Sequence, residues 1–209
     1  MNIKHRLLCT YWRRKIPYTE TEIQKGIEDV KVWLCSPGGA GSNTLKDYIH
    51  PFMRIKSHYM AGLLTHHSTP VPTKKEGFKA IYLHRSPLDC VKSQKRRNLL
   101  KTNIKKLYNE KGLATTEEVL LQGILNQFKN WTTVKVNYPI LCIKYEKMFQ
   151  NPEIIGDFLG IDFSSFPKRH FKENKTDVDS ELFLQFEKQI AEWNEFPDVL
   201  LREAHQSIR

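Results

Sequence analysis

Two short segments carry the residue types that bind anions, and each follows an apolar, strand-like run. The first segment, residues 36–44, reads Ser-Pro-Gly-Gly-Ala-Gly-Ser-Asn-Thr. A glycine-rich turn that opens a helix directs unpaired backbone N–H groups and the positive end of the helix dipole to one place. We therefore predict a phosphate cradle formed by Gly38, Gly39, Ala40, Gly41, Ser42, Asn43 and Thr44.

The second segment has Arg85 at the end of a strand-like run and Ser93 two helical turns later, with Pro87 as the first helical residue. Arginine offers a forked, permanently charged donor to phosphate, and a serine hydroxyl adds a second hydrogen bond. Two anion sites after two parallel strands predict a nucleotide ligand that carries two phosphate groups.

The sequence resembles the sulfotransferases that use 3′-phosphoadenosine 5′-phosphosulfate (PAPS). Residues 85–93 match that family's Arg-x-Pro-x-Asp-x-x-x-Ser motif at every defined position. A further likeness covers Lys144-Tyr145-Glu146, Asn151-Pro152 and Phe158-Leu159-Gly160, where relatives have a strand end and an Asn/Asp-Pro helix. The resemblance therefore extends over residues 30–161.

The resemblance implies roles for several residues. The glycine-rich segment would hold the 5′-phosphosulfate, and Arg85 and Ser93 would hold the 3′-phosphate. Tyr145 would lie near the adenine. Lys168 and Arg169 occupy the place of a basic loop that closes over the 3′-phosphate in relatives, although only charge and position agree there. PAPS is the expected co-substrate, 3′,5′-ADP is the expected product, and no metal is required.

Sulfuryl transfer needs a base for the proton of the acceptor hydroxyl, and relatives use a histidine for it. His66 is the first candidate, because it ends a predicted strand and precedes a proline-rich loop; His67 and then His58 follow. His58 fits the relatives' Lys-Thr-His pattern better, but it follows the first loop too closely for a full crossover. A structural role is the alternative for each histidine taken singly.

The first motif departs from the family at Gly39, where relatives carry a lysine or arginine that contacts the bridging oxygen or the sulfonate. Backbone N–H groups from Gly39 to Thr44 can still form a nest for a phosphate. Lys56, or a lysine from the basic segment 92–111, is a candidate for the missing cation.

The remaining elements predict an α/β fold. Alternating strand and helix patterns indicate a three-layer α/β/α domain with a central, mainly parallel sheet and a P-loop-like phosphate-binding loop. We predict strands at 30–35, 62–67, 79–84 and 139–145, with capping boxes at Thr19, Ser86 and Thr115. The 209 residues predict one domain, with an arm over 1–29 and a core over about 30–195.

The composition restricts the partners. A net charge of +10 favours anionic partners, and we expect a nucleotide and an unidentified acceptor, with an acidic glycan as one option, rather than nucleic acid. The four cysteines show no Cys-x-x-Cys spacing, so we expect reduced thiols. No apolar run reaches the roughly 20 residues of a membrane span and no signal peptide is indicated. We therefore expect a cytoplasmic protein.

The leading interpretation is a sulfotransferase that moves the sulfuryl group from PAPS to a hydroxyl or an amine. One alternative is a nucleotide kinase or another phosphoryl transferase, but the Gly-Lys-Ser/Thr sequence and the magnesium carboxylate that such enzymes require are not found. The second alternative is a non-catalytic protein that binds a 3′-phosphorylated nucleotide or a nucleic acid, and the departure at Gly39 keeps it open.

Overall fold

The computed structural model describes residues 17–28, 30–50, 66–167 and 180–205, and a four-stranded sheet lies at its centre. The strands are β1 (Val32–Cys35), β2 (Lys79–His84), β3 (Ile140–Lys144) and β4 (Val199–Arg202). They lie side by side in sequence order, with β1, β2 and β3 parallel and β4 antiparallel to β3. The three parallel strands therefore have their carboxyl ends at one edge of the sheet.

Strand residues alternate between two hydrophobic clusters, one on each face of the sheet. On β1, Leu34 belongs to the first cluster, whereas Trp33 belongs to the second cluster. On β2, Leu83 and Tyr82 divide in the same way. Helices cover both faces, which gives the predicted three-layer α/β/α architecture and explains why the strands are apolar on both sides.

Nine helices occur in the described ranges. Their bounds are α1 (Glu20–Glu28), α2 (Ser42–Ile49), α3 (Pro87–Arg96), α4 (Leu100–Tyr108), α5 (Glu117–Thr133), α6 (Tyr145–Gln150), α7 (Glu153–Leu159), α8 (Ser180–Gln185) and α9 (Glu187–Glu195). Helix α5 contributes to both clusters, with Leu121 in one and Trp131 in the other. Helix α1 lies in the segment predicted as an arm, but it buries Ile23 and Ile27 against the second cluster.

Side-chain caps explain where several helices begin. Glu22 N donates to Thr19 Oγ1, and Thr19 N donates to Glu22 Oε2, which is the predicted capping box of α1. Ser86 Oγ accepts from Asp89 N and starts α3 as predicted. The third prediction is wrong by one residue, because the cap of α5 is Thr116 rather than Thr115 and its hydroxyl accepts from Val119 N.

The structure differs from the predictions at two strands. His66 is in a 3₁₀ conformation and His67 is irregular, so this described end of the predicted 62–67 strand is not a strand; residues 62–65 lie outside the described residues. In addition, β4 was not predicted. Its residues are mostly half-exposed, so its short sequence lacks the buried apolar pattern of the other strands. Its neighbour in the sheet is β3, with which it pairs in antiparallel register.

No helix within the described ranges is long and apolar enough to cross a membrane. Three cysteines of the described chain, Cys35, Cys90 and Cys142, are buried free thiols. Burial raises the pKa of the Cys90 and Cys142 thiols to about 12, so both are protonated at neutral pH. These cysteines are therefore packing residues rather than nucleophiles.

Candidate functional site

The glycine-rich loop leaves β1 and enters α2 through three residues with positive φ. Gly38, Gly39 and Gly41 have φ values of 87°, 76° and 73°, which side chains rarely tolerate. Gly41 is the N-cap of α2 and supplies no side-chain cap. The first-turn N–H groups of α2 therefore lack a capping side chain, as an anion-binding helix start requires.

The other cradle residues surround this turn. Ala40 and Ser42 are buried, Asn43 is exposed, and Thr44 N donates to Gly41 O at 3.0 Å. Asn43 Oδ1 accepts from Lys46 Nζ at 3.2 Å, which keeps a cation within the first turn and a half of α2. The seven residues of the predicted cradle thus form one continuous turn at the carboxyl end of β1.

Arg85 and Ser93 lie next to this loop. Arg85 follows the last residue of β2, and its Nη1 donates to Gly39 O at 3.4 Å. A Cβ placed on Gly39 would lie 3.2 Å from Ser93 Oγ. Because β1 and β2 are adjacent and parallel, the two predicted anion-binding motifs meet at one edge of the sheet.

The guanidinium of Arg85 is held by two carboxylates. Its Nη2 lies 3.3 Å from Asp89 Oδ2 and its Nε lies 3.7 Å from Glu146 Oε1. Nε is buried and makes no hydrogen bond within the described parts of the chain. The orientation of Arg85 is therefore fixed by ion pairs, and an anion bound to its guanidinium would compete with the two carboxylates.

Tyr145 covers the same loop. It is the first residue of α6, directly after β3, and a Cβ on Gly41 would lie 2.2 Å from its Cε2. The Arg85 guanidinium lies 5.0 Å from the centre of its ring, and the Phe149 ring lies 5.3 Å away. Tyr145 thus lies between the glycine-rich loop and Arg85.

His66 also contacts the loop. Its Nδ1 lies 2.8 Å from Ser36 O, and its Cε1 lies 3.3 Å from the position of a Cβ on Gly38. Because a carbonyl only accepts, Nδ1 carries the proton in the neutral ring, and Nε2 is then the basic nitrogen. The tautomer that this contact selects is the one that a general base at Nε2 requires.

His67 has different surroundings. It is buried, its Nδ1 lies 2.7 Å from Thr69 O, and burial lowers the pKa of the ring. Its carbonyl accepts from Gln127 Nε2 and Trp131 Nε1, both at 2.9 Å. These contacts anchor the segment that begins at His66 to α5, so a structural role explains His67 better than base catalysis.

Several predicted residues cannot be placed. His58, Lys56, Lys168 and Arg169 lie outside the described residues. Of the basic segment 92–111, Lys95 pairs with Glu117 and Lys106 is buried. The described chain therefore brings the cradle, Arg85, Ser93, Tyr145 and His66 together, and it adds Glu146.

The sequence also did not predict a buried amide pair beside the loop. Asn103 Nδ2 donates to Gln94 Oε1, and both side chains lie near the position of a Cβ on Gly38. Their meeting depends on the turn between α3 and α4, where Asn98 has a φ of 52°. No motif marks such a contact, because it joins two helices that the sequence pattern runs together.

The described residues contain no group of three or more histidine, cysteine, aspartate or glutamate side chains that could hold a metal ion. The donors gathered at the loop are backbone N–H groups, a guanidinium, a hydroxyl and an amide, which suit an anionic ligand.

Comparison with known proteins agrees with this arrangement. The family described as "Sulfotransferase domain" matches residues 3–194, which is most of the chain. Neither the curated proteins nor the solved structures gave a match. The matched range includes the glycine-rich loop, Arg85, Ser93 and Tyr145, and the three-layer α/β/α fold fits it, so the chain belongs to the sulfotransferase family.

Proposed function

We propose that the protein transfers the sulfuryl group of PAPS to a hydroxyl or an amine of an acceptor. The observation that carries the proposal is the convergence of Gly39, Arg85 and Ser93, where a guanidinium and a hydroxyl lie beside a glycine-rich helix start. This arrangement offers two neighbouring anion sites. PAPS likewise has two phosphate groups on one nucleoside, at the 3′ and 5′ positions, and the 5′-phosphate bears the sulfonate.

The residues present fit such a ligand. The N–H groups of the cradle and of the first turn of α2 would receive the 5′-phosphosulfate. The guanidinium of Arg85 and the hydroxyl of Ser93 would receive the 3′-phosphate. Tyr145, which faces both the loop and Arg85, would lie against the nucleoside. Lys168 and Arg169 would close over the 3′-phosphate.

His66 would act as the general base. The acceptor oxygen forms a bond to sulfur as the bond between sulfur and the bridging oxygen breaks, and the acceptor proton passes to Nε2 of His66. The products are the sulfated acceptor and 3′,5′-ADP. Hydrogen-bond donors at the loop would stabilise the charge that develops on the leaving phosphate. The net charge of +10 suits an acidic glycan as the acceptor.

Calorimetry with 3′,5′-ADP, 5′-AMP and ATP tests the nucleotide. We expect the wild type to prefer 3′,5′-ADP, and Ser93→Ala and Arg85→Ala to weaken 3′,5′-ADP binding by about 10- to 100-fold, since each variant loses a hydrogen bond to a charged group. Binding of 5′-AMP should be nearly unchanged. Arg97→Ala is the matched control, because Arg97 is exposed at the end of α3.

A preference for ATP would contradict the proposal, and so would equal losses of 3′,5′-ADP and 5′-AMP affinity in the variants. Incubation with labelled PAPS and a panel of glycan, phenolic and peptide acceptors would then test transfer. Tight binding of 3′,5′-ADP without transfer to any acceptor would favour the second candidate, a non-catalytic nucleotide-binding protein, which the missing side chain at Gly39 also supports.

A further inference from the structure

The first two glycines of the cradle face a buried pair of amide side chains. Gln94, which follows Ser93 on α3, is 1% exposed, and Asn103 on α4 is 4% exposed. Asn103 Nδ2 donates to Gln94 Oε1. Because this bond occupies the carbonyl end of the Gln94 amide, the Nε2 end is directed to the loop.

The distances place Gln94 Nε2 where a loop side chain would begin. A Cβ on Gly38 would lie 2.4 Å from Nε2, and a Cβ on Gly39 would lie 3.5 Å from Nε2 and 3.2 Å from Ser93 Oγ. Gly39 is the position at which the resemblance puts a lysine or an arginine in relatives. The space for that side chain is therefore taken here by an amide nitrogen and a hydroxyl oxygen.

We propose that Gln94 supplies the donor that Gly39 lacks: its Nε2 donates a hydrogen bond to the sulfonate or to the bridging oxygen of the nucleotide, and Asn103 positions it. This inference rests on the proposed function. The bridging oxygen gains negative charge as its bond to sulfur breaks, so a preorganised N–H donor at that oxygen stabilises the transition state. Asn103 acts only through Gln94, and it is a positioning residue.

The alternative is that the amide pair only packs α3 against α4. Three variants separate these roles. Gln94→Glu keeps the shape and an acceptor for Asn103, but it turns a carboxylate oxygen to the loop. Gln94→Met keeps the length without a charge and removes the donor. Asn103→Asp can only accept, so it reverses the Gln94 amide and presents Oε1 instead of Nε2 to the loop.

The experiment is calorimetry of the full chain with PAPS in the absence of acceptor, and separately with 3′,5′-ADP, which has no sulfonate. For all three variants we expect the affinity for PAPS to fall by at least about tenfold more than the affinity for 3′,5′-ADP. The matched control is Gln122→Glu, because Gln122 bonds Asn126 on the exposed side of α5. Thermal unfolding of each variant shows whether it is folded.

Each outcome decides the inference. If the wild type binds 3′,5′-ADP and a folded variant keeps the wild-type ratio of PAPS to 3′,5′-ADP affinity, Gln94 does not contact the sulfonate end. If only Gln94→Met folds, its ratio alone decides. If all three variants unfold, the pair is a packing contact and the inference is overturned. If the wild type does not bind 3′,5′-ADP, the proposed function itself is contradicted. This result differs from an unchanged affinity ratio in a variant, which contradicts only the role of Gln94.

Discussion

At the scale of single residues, the contact between His66 and Ser36 has the clearest chemical consequence. The carbonyl of Ser36 fixes the proton on Nδ1 of the neutral ring, so Nε2 is the nitrogen that could accept a proton. The same contact ties the ring to the first residue of the loop. In the proposed reaction His66 therefore has two separable roles, to accept a proton and to hold the loop.

Two substitutions separate these roles. His66→Asn can still donate to Ser36 O through its amide but cannot accept a proton at the position of Nε2, whereas His66→Ala loses both. We expect both variants to lower kcat by about 100-fold or more, the usual contribution of a general base. We expect His66→Asn to bind 3′,5′-ADP like the wild type.

Rate measurements with labelled PAPS, combined with calorimetry of 3′,5′-ADP, check this prediction. His205→Ala serves as the control, since His205 is exposed near the end of the described chain. An active His66→Asn protein would assign the base to another residue, and His58 would be the next to substitute.

At the scale of structural elements, the loop between β1 and α2 depends on close contact with α6. Gly41 and Gly160 have the same φ of 73°, but their surroundings differ. A Cβ on Gly41 would lie 2.2 Å from the Tyr145 ring, whereas a Cβ on Gly160 would meet nothing within 4 Å. The two glycines therefore separate backbone strain from the contact with the ring.

We expect Gly160→Ala to destabilise the fold by about 1–2 kcal/mol, the cost of a left-handed residue, with no effect on nucleotide binding. Gly41→Ala should cost more, because the ring must also move, and it should weaken 3′,5′-ADP binding by displacing Tyr145 from Arg85. Denaturant unfolding and calorimetry of both variants test this. Equal losses of stability with unchanged binding would show that Tyr145 is free to move away from the loop.

The sequence predicts three of the four strands of the sheet and two of the three helix caps named above. The strands β1, β2 and β3 are predicted because each has a run of apolar residues that indicates a buried strand without reference to its neighbours in the sheet. The caps of α1 and α3 were also predicted, since a capping box is a local contact. In contrast, β4 depends on a partner far along the chain.

The same distinction applies to the candidate site. Arg85 and Ser93 were predicted from one motif, and their approach to Gly39 follows from two adjacent parallel strands. The contacts of Gln94 with Asn103 and of Arg85 with Glu146 join residues from different elements, and no spacing rule brings them together. Sequence motifs therefore predict a class of ligand, whereas contacts between residues of different elements become visible only in the packed structure.

At the scale of the whole molecule, His84 connects the sheet with the helices around the second cluster. Its ring lies within 6.2 Å of the rings of Tyr82, Phe128, Trp193 and Phe196, which come from β2, α5 and the segment around α9. Neither ring nitrogen has a hydrogen-bond partner in the described parts of the chain. Burial, with the Lys144 charge as a smaller cause and Asp198 opposing it, lowers the pKa of His84 to about 3.

This pKa makes the stability of the fold depend on pH in a predictable direction. The ordinary pKa of histidine in an unfolded chain is about 6.5. Below that pH the unfolded state therefore binds a proton, whereas His84 in the folded state stays neutral. The contribution of His84 is therefore complete above about pH 6.5 and is lost as the pH falls towards 3. The expected loss approaches about 1.4 kcal/mol per pH unit. His67, whose pKa burial also lowers, acts in the same direction.

The test is denaturant unfolding between pH 4.5 and 7, in which His84→Phe is compared with the wild type. Phenylalanine fills the aromatic surroundings of His84 without a titratable group, so the free energy of unfolding of His84→Phe should fall less steeply below pH 6.5. The slopes should differ by close to one proton, and His205→Gln is the control for replacing an exposed histidine. Parallel curves for His84→Phe and the wild type would contradict this prediction, because they would show that His84 has the same pKa in the folded and the unfolded protein.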